Sequence, residues 1–305
     1  MRQYRDHLSD FKNWDQKNHA KKWLLYPENL GKQLSIDETS LSHGELYTIV
    51  TNKAAKGKKG AIVAIVAGTK AETVIEVLQK IPERQRRKVT EITLDMAGNM
   101  ELICKRCFPQ AVRVTDRFHV QKLATEALQE MRINYRWAAL DAENNAIEQS
   151  RKTGDRFESE VLSNGDTLKQ LLARSRYVLY KKPSDWTSGQ KERAELLFER
   201  YPDLKTAYGL SLGLSQIFEH TKDKVFGLAN LARWHEKVRQ TGFKAFNTVA
   251  RSIQNHYQTI LNYFDHRSTN ASAESFNAKI KAFRSQFRGV KNIEFFLYRL
   301  TQLYA

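Results

Sequence analysis

Three acidic residues lie where the hydrophobic pattern predicts rigid structural elements. Asp37 falls inside a strand-like run at 34–40, Asp95 lies near the end of a run at 89–98, and Glu274 lies in the first turn of a late helix. An acidic residue inside a buried strand is costly unless it is paired or bound to a metal ion. Carboxylate oxygens are the ligands that Mg²⁺ prefers, so Asp37, Asp95 and Glu274 are candidate metal ligands. Taken alone, Asp37 or Asp95 could instead be a strand-end acid that caps the next helix.

The elements that would position these acids follow from hydrophobic periodicity. Strands are predicted at 34–40, 45–52, 61–68, 89–98 and 111–120, and helices at 69–87 and 99–109. The run at 61–68, AIVAIVAG, is continuously apolar, as is typical of a strand that is buried on both faces. If the strands at 34–40 and 89–98 are neighbours, Asp37 and Asp95 can meet at one edge of a sheet.

The helix that carries Glu274 has two distinct faces. Its apolar face is predicted to consist of Phe276, Ile280, Phe283 and Phe287. A second stripe, about 200° away around the helix axis, consists of Glu274, Asn277, Lys281, Arg284 and Arg288. This second stripe could be a solvated charged face. Beside a metal-binding carboxylate, it predicts instead a row of contacts to phosphate groups.

The chain carries a large excess of positive charge. Its 305 residues include 50 Lys and Arg against 34 Asp and Glu, which gives a formal net charge of +16. A surplus of this size favours a polyanionic partner, above all nucleic acid. Because 41% of the residues are hydrophobic and 28% are charged, the chain is globular rather than disordered.

Phosphodiester chemistry links the acids to the basic charge. Charge builds up on the attacking and leaving oxygens of a phosphoryl transfer, and two divalent ions about 3.5–4 Å apart can neutralise both. Such a site needs converging carboxylates, but it needs no nucleophilic side chain and no phosphate-cradling loop. The sequence agrees, because it contains no GxxxxGK[ST] motif.

The remaining sequence predicts a helical region and gives few other chemical signals. Between 120 and 264 strand patterns vanish, and Trp137, Trp186 and Trp234 are expected either in a helical core or stacked on DNA. Cys104 and Cys107 form a CxxC motif without a second pair of ligands, which favours two partly buried helix residues over a zinc site or a redox motif. The absence of a signal peptide and of a long apolar run predicts a cytoplasmic protein, and a nucleic-acid partner in that compartment predicts association with the nucleoid.

Four segments, taken in chain order, resemble the ISL-three group of bacterial insertion-sequence transposases of the DDE superfamily. The segments are LSIDETSLSHGELYTIVTN, LDMAGNM, FPQAVRVTDRFHVQKL and STNASAESFNAKIKAFRSQFRG. The resemblance runs from about residue 32 to the C-terminus. The DRFH block and the block around Glu274 are fairly specific together, although neither is decisive alone.

The resemblance implies an α/β fold of the ribonuclease H-like kind, with a mixed sheet flanked by helices and an all-α insertion before the helix of the catalytic Glu274. The predicted division is an N-terminal helical segment at 1–30, a discontinuous catalytic domain at 31–125 and 265–305, and an insertion domain at 126–264. In that fold the first acid lies on the first strand, the second follows the fourth strand, and the third lies on a late helix. Asp37, Asp95 and Glu274 occupy these places.

The resemblance also brings Asp116 and His119 into the site as auxiliary residues. Asp116-Arg117-Phe118-His119 is similar to an Asp/Cys-x-x-His signature that follows the fifth strand in related transposases. Asp116 therefore competes with Asp95 as the second metal ligand. His119 is expected either to orient the scissile phosphate or to be a hydrogen-bonded structural histidine, and Arg117 is a candidate DNA contact.

The activity that the resemblance implies is a transposition reaction that depends on two Mg²⁺ or Mn²⁺ ions. Water first cleaves one strand at an end of the element, and the freed 3′-hydroxyl then attacks target DNA. The expected partners are transposon-end and target DNA and further copies of this chain, because two ends must be joined. Only 36 residues precede Asp37 and none is a cysteine, so a small DNA-recognition protein acting in trans is also expected.

Two alternatives remain from the sequence. A nuclease or junction resolvase of the same fold would cleave DNA without strand transfer. A non-catalytic DNA-binding remnant would keep the charge and the fold without binding metal ions. The presence of all three acids argues against the remnant, and the helical insertion argues against the resolvase.

Overall fold

The computed structural model describes residues 3–42, 45–287 and 292–305. The chain divides into two compact units, one formed by residues 1–117 and 258–305 and the other by residues 118–257. The predicted division into an N-terminal segment at 1–30, a catalytic domain at 31–125 and 265–305, and an insertion domain at 126–264 remains a prediction.

A six-stranded mixed sheet forms the centre of the first unit. Its strands are β1 (Trp23–Leu25), β2 (Gln33–Ser42), β3 (Glu45–Asn52), β4 (Ile62–Ala67), β5 (Glu91–Leu94) and β6 (Val112–Thr115). The strand order is β1-β4-β3-β2-β5-β6, in which β2, β5 and β6 are parallel and the remaining pairs are antiparallel. The mixed sheet flanked by helices confirms the predicted ribonuclease H-like α/β class.

The helices follow the same chain order. They are α1 (Ala71–Leu78), α2 (Glu83–Arg86), α3 (Gly98–Cys107), α4 (Arg117–Thr153), α5 (Leu168–Leu179), α6 (Ser188–Arg200), α7 (Pro202–His220), α8 (Lys224–Thr241), α9 (Lys244–Asn255), α10 (Tyr257–Leu261), α11 (Tyr263–His266), α12 (Ala271–Gln286) and α13 (Ile293–Tyr304). Short 3₁₀ or π turns occur at Tyr4–Leu8, Asp10–Asn13, Pro27–Asn29, Lys53–Ala55 and Pro183–Asp185. None of the helices in the described ranges is long and apolar enough to cross a membrane.

The sheet is buried on both faces, which explains the continuously apolar strand β4. On one face Val63 and Val66 of β4 belong to a core that includes Val74, Leu78 and Ile103 of α1 and α3. On the other face Ile62 and Ile65 join the apolar stripe of α12 and the residues Phe296, Leu297 and Leu300 of α13. β4 therefore contributes side chains to both hydrophobic cores, and the β-bulge in its pairing with β3 interrupts the simple alternation of faces.

Three local predictions about the first unit need correction. The helix predicted at 69–87 is two helices, α1 and α2, because Pro82 lacks the N–H that a continuous helix requires. The N-terminal segment contains not only helical turns but also β1, whose pairing with β4 supplies hydrogen bonds that the local sequence did not reveal. The strand at 111–120 ends at Thr115, so His119 lies in α4.

The second unit is helical throughout its regular structure, apart from a single bridge between Val161 and Thr167. Its core includes Trp234, whose indole N–H donates to the carbonyl of Leu210 at 2.8 Å. Trp186 is also partly buried and donates to the carbonyl of Val178 at 3.0 Å. Trp137, by contrast, is 58% exposed.

Candidate active site

The parallel strands β2, β5 and β6 bring three aspartates to one edge of the sheet. Ser35 pairs with Thr93, and Leu94 pairs with Thr115. Continuing these registers places Asp37 level with Asp95, and Asp95 level with Asp116. The pairing does extend to Asp116, whose backbone N–H donates to the carbonyl of Leu94 at 2.9 Å.

The spacing of strands turns this register into a row of carboxylates. Neighbouring strands lie about 4.8 Å apart, and β5 lies between β2 and β6. Asp95 therefore occupies the middle position of the row, between Asp37 and Asp116. Asp37 and Asp95 are half-buried, and Asp116 is buried.

Hydrogen bonds from nearby donors orient two of these carboxylates. One oxygen of Asp37 accepts from the backbone N–H of Glu38 at 2.8 Å, and the other accepts from the side-chain amide of Asn277 at 2.7 Å. Asp95 accepts from the backbone N–H of Ala97 at 2.9 Å, immediately before α3 begins. These donors fix where the carboxylate oxygens point.

Helix α12 reaches two positions of the row from one face. Phe276 and Ile280 are fully buried in the core beneath the helix. Glu274 has a carboxylate oxygen within 4.8 Å of one from Asp116, while Asn277, three residues later, bonds to Asp37. Because residues three apart lie on the same helix face, α12 spans the edge from β2 to β6.

The predicted ligands are therefore brought to one edge but not into one tight cluster. Among the residues that the structure describes, Asp37, Asp95 and Glu274 do not form a group with ligand oxygens all within 4.8 Å of one another. Asp116 and Glu274 form a close carboxylate pair within the first unit. The metal-ligand triad remains a prediction, and Asp116 remains the alternative to Asp95 as the second ligand, with its carboxylate close to that of Glu274.

The donor chemistry of the edge fits divalent metal ions. Four acids from β2, β5, β6 and α12 supply carboxylate oxygens, which are the ligands that Mg²⁺ and Mn²⁺ accept readily. The close pair, Asp116 and Glu274, would repel each other when both are ionised, and a cation between them offsets that repulsion. Asp37, Asp95 and Glu274, with Asp116 as the alternative to Asp95, remain the predicted ligands of such ions.

The other predicted site residues have varied surroundings. Lys281 is exposed, and the guanidinium of Arg284 lies 4.9 Å from the ring centre of Phe296. The Arg117 guanidinium lies 6.0 Å from the ring centre of Tyr263. Arg288 lies outside the described residues. His119 lies in the first turn of α4 and belongs to the second unit.

Polar contacts that support this edge were not evident from the sequence. The hydroxyls of Thr115 and Thr259 are 2.7 Å apart, and the Asn262 amide donates to the carbonyl of Arg113 at 2.8 Å. Both contacts involve β6 residues just before Asp116, and both partners lie more than a hundred positions later in the chain. No local pattern signals such pairs.

The cysteines take no part in this chemistry. Cys104 and Cys107 lie in a helix, α3, as the sequence predicted, and they are fully rather than partly buried. Burial raises the pKa of the Cys104 thiol to about 12 and that of Cys107 to about 11, so both stay protonated at neutral pH.

Comparison with known proteins identifies relatives that share most of this chain. A family model described as a transposase, of the ISL-three (ISL3) DDE type, matches residues 34–300. The transposase for insertion sequence element IS1001 of Bordetella parapertussis is 22% identical over 269 residues, which cover 88% of this chain and 59% of the relative. The transposase for insertion sequence element IS1557 of Mycobacterium tuberculosis is 27% identical over 253 residues, or 82% of this chain and 55% of the relative. The chain thus spans somewhat more than half the length of these curated relatives.

Proposed function

Because the chain belongs to the ISL-three family of DDE transposases, we propose that it is a bacterial insertion-sequence transposase that cleaves DNA at element ends and transfers the strand. The observation that carries this proposal is the row of Asp37, Asp95 and Asp116 across three parallel strands, faced by Glu274 from α12. The family's use of divalent metal ions agrees with this set of carboxylates.

Two Mg²⁺ or Mn²⁺ ions, held by Asp37, Asp95 and Glu274, would neutralise charge on the attacking and leaving oxygens of the phosphodiester. The chain itself supplies the positions of the ligands. Asn277 holds the Asp37 carboxylate, and the turn at Ala97 holds the carboxylate of Asp95. The proximity of Asp116 to Glu274 supports Asp116 as the alternative ligand in place of Asp95.

DNA is the proposed substrate because the net charge is +16 and cations follow Glu274 along α12. Lys281 is exposed and able to contact a phosphate. Arg284 and Arg117 are half-buried against aromatic rings, which limits how far their guanidinium groups can move. The proposed oligomer and the recognition protein acting in trans remain predictions.

The decisive experiment compares charge-neutral variants of the acids in a Mg²⁺-dependent assay on supercoiled DNA that carries the element ends. Asp37→Asn, Asp95→Asn and Glu274→Gln are expected to keep DNA binding and to lose cleavage by roughly 100-fold or more, because each ligand supports several kcal/mol of charge stabilisation. Asp155→Asn, an exposed residue of the second unit, is the matched control.

Each outcome of this assay has a distinct meaning. If Asp116→Asn abolishes cleavage and Asp95→Asn does not, Asp116 is the second ligand. Cleavage without any joined strands would favour a nuclease of the same fold. Cleavage that survives all of the acid substitutions would refute the proposed active site.

A further inference from the structure

A cluster of arginines in the second unit lacks the acidic partners that such a cluster normally has. Arg132 of α4 is only 6% exposed. Its guanidinium donates to the side-chain oxygen of Gln129 at 2.7 Å and to the backbone carbonyl of Leu172, in α5, at 2.8 Å. Both acceptors are neutral, so a buried positive charge is hydrogen-bonded but not balanced.

Two further cations adjoin this buried charge. Arg136 lies four residues after Arg132 and therefore on the same face of α4. Arg176 lies one helical turn after Leu172, the residue whose carbonyl Arg132 contacts. Burial, and then the charges of Arg136 and Arg176, lower the pKa of Arg132 below its usual value.

The structure provides no counter-charge for this cluster. Across the described part of the chain, no ion pair joins Arg132, Arg136 or Arg176 to an acid, although other arginines of the unit form such pairs. The buried Nε of Arg136 also lacks a hydrogen-bond acceptor among the described residues. Arg132 is buried beside two like charges, of which Arg136 is partly buried and Arg176 is exposed. An anion from outside the chain would therefore relieve an electrostatic cost that the fold now bears.

We propose that Arg132, Arg136 and Arg176 form a binding site for a backbone phosphate of a DNA strand. The planar guanidinium group donates two parallel hydrogen bonds and so matches the oxygens of a phosphodiester. This inference rests on the proposed function, because a DNA-processing enzyme must hold its substrate outside the catalytic edge as well as on it.

Exposed aromatic rings beside the cluster favour a nucleotide over an acidic peptide. Tyr180, four residues after Arg176, is 53% exposed, and its phenol lies close enough to affect the pKa of Arg132. Tyr177 and Trp137, each adjacent in sequence to one of the arginines, are also exposed. Aromatic rings interleaved with cations are typical of surfaces that bind a strand with accessible bases.

The test measures binding of a labelled oligonucleotide, single-stranded or duplex, by fluorescence anisotropy over a series of salt concentrations. Arg136→Gln and Arg176→Gln each remove one cation without disturbing the hydrogen bonds of Arg132. Arg251→Gln is the matched control, since Arg251 is exposed on α9 in the same unit and the charge change is equal.

We expect each cluster variant to bind about tenfold more weakly than the wild type, because hydrogen bonds to charged groups contribute about 1.5–3 kcal/mol. The slope of log affinity against log salt should fall by about 0.7 for a single strand or about 0.9 for a duplex per lost phosphate contact. The control should change affinity by less than about twofold. Equal losses of DNA affinity in the cluster and control variants would refute the proposed site.

A second measurement works on the wild-type protein and does not depend on the folding of variants. DNA should protect Arg136 and Arg176 from phenylglyoxal, as detected by mass spectrometry, and should leave Arg251 reactive. Equal protection by inorganic phosphate at the same phosphate concentration would assign the cluster to a free anion and overturn the DNA assignment.

Failure of this site and failure of the proposed function give different results. If the wild-type protein nicks DNA but the cluster variants bind DNA as well as the control variant does, the proposed function stands and the arginine site is refuted. If the cluster variants weaken DNA binding but the wild-type protein shows no cleavage that depends on the acids, the arginine site stands and the transposase proposal is refuted. A chain that binds no DNA at all overturns both.

Discussion

Replacing Asn277 with alanine tests whether the structure has identified the residue that positions Asp37. The Asn277 amide donates to the Asp37 carboxylate at 2.7 Å, and the asparagine is 9% exposed. A hydrogen bond to a charged group contributes about 1.5–3 kcal/mol. If that energy holds the carboxylate in its productive position, its loss should slow cleavage by roughly 10- to 150-fold, since 1.36 kcal/mol corresponds to a factor of ten.

The two roles suggested for Asn277 give different kinetics. A positioning residue changes kcat for Mg²⁺-dependent nicking and leaves the affinity for DNA nearly unchanged, whereas a phosphate contact changes chiefly the affinity. Asn144→Ala, at an exposed position of α4, is the control. The free energy of unfolding of Asn277→Ala should also fall by about 1.5–3 kcal/mol, because the part-buried carboxylate loses a donor. Nicking by Asn277→Ala within about twofold of the wild-type rate would refute the positioning role.

Three further predictions concern the fold. Asp166→Asn should lower the free energy of unfolding by about 2–3 kcal/mol in urea melts, because Asp166 is buried and accepts hydrogen bonds from two arginines. Burial acts to raise the pKa of Asp166, but the two arginines outweigh it and leave the pKa below its usual 3.8. The free energy of unfolding of the wild type should therefore fall as the pH drops below about 4, and the Asp166→Asn variant should lack this loss. Native protein at pH 8 should show no reaction of Cys104 or Cys107 with a thiol reagent, and both should react in denaturant; a fast-reacting native thiol would contradict their burial. Ile280→Ala should lower the free energy of unfolding by about 2–5 kcal/mol, because Ile280 is fully buried beneath α12; an unchanged melt would mean that α12 does not pack on the sheet.

Sequence patterning predicted the strands of the first unit best where burial is two-sided. The run at 45–52 coincides with β3, and the run at 61–68 contains β4. β4 packs against helices on both faces, so each of its positions carries an apolar side chain and the signal is strong, whereas β3 is signalled by its β-branched and aromatic residues. The three-residue β1 was missed because its hydrogen bonds depend on β4, which lies far along the chain.

The prediction for α12 was confirmed for its apolar face and only partly tested for its polar face. Phe276, Ile280 and Phe287 are buried, as the stripe requires. Asn277 donates to Asp37, and its expected contact with DNA stays a prediction. Helical spacing fixes which residues share a face, but it does not specify what that face meets.

The sequence by itself determined the types of the elements, the two faces of α12 and the candidate acids, because hydrophobic periodicity and carboxylate chemistry are local properties. Only the tertiary structure decided that β5 lies between β2 and β6, and therefore that Asp95 stands between Asp37 and Asp116. It also decided that Glu274 approaches Asp116. These juxtapositions depend on strand pairing and helix packing between residues that are distant along the chain, and no local pattern encodes the distances between them.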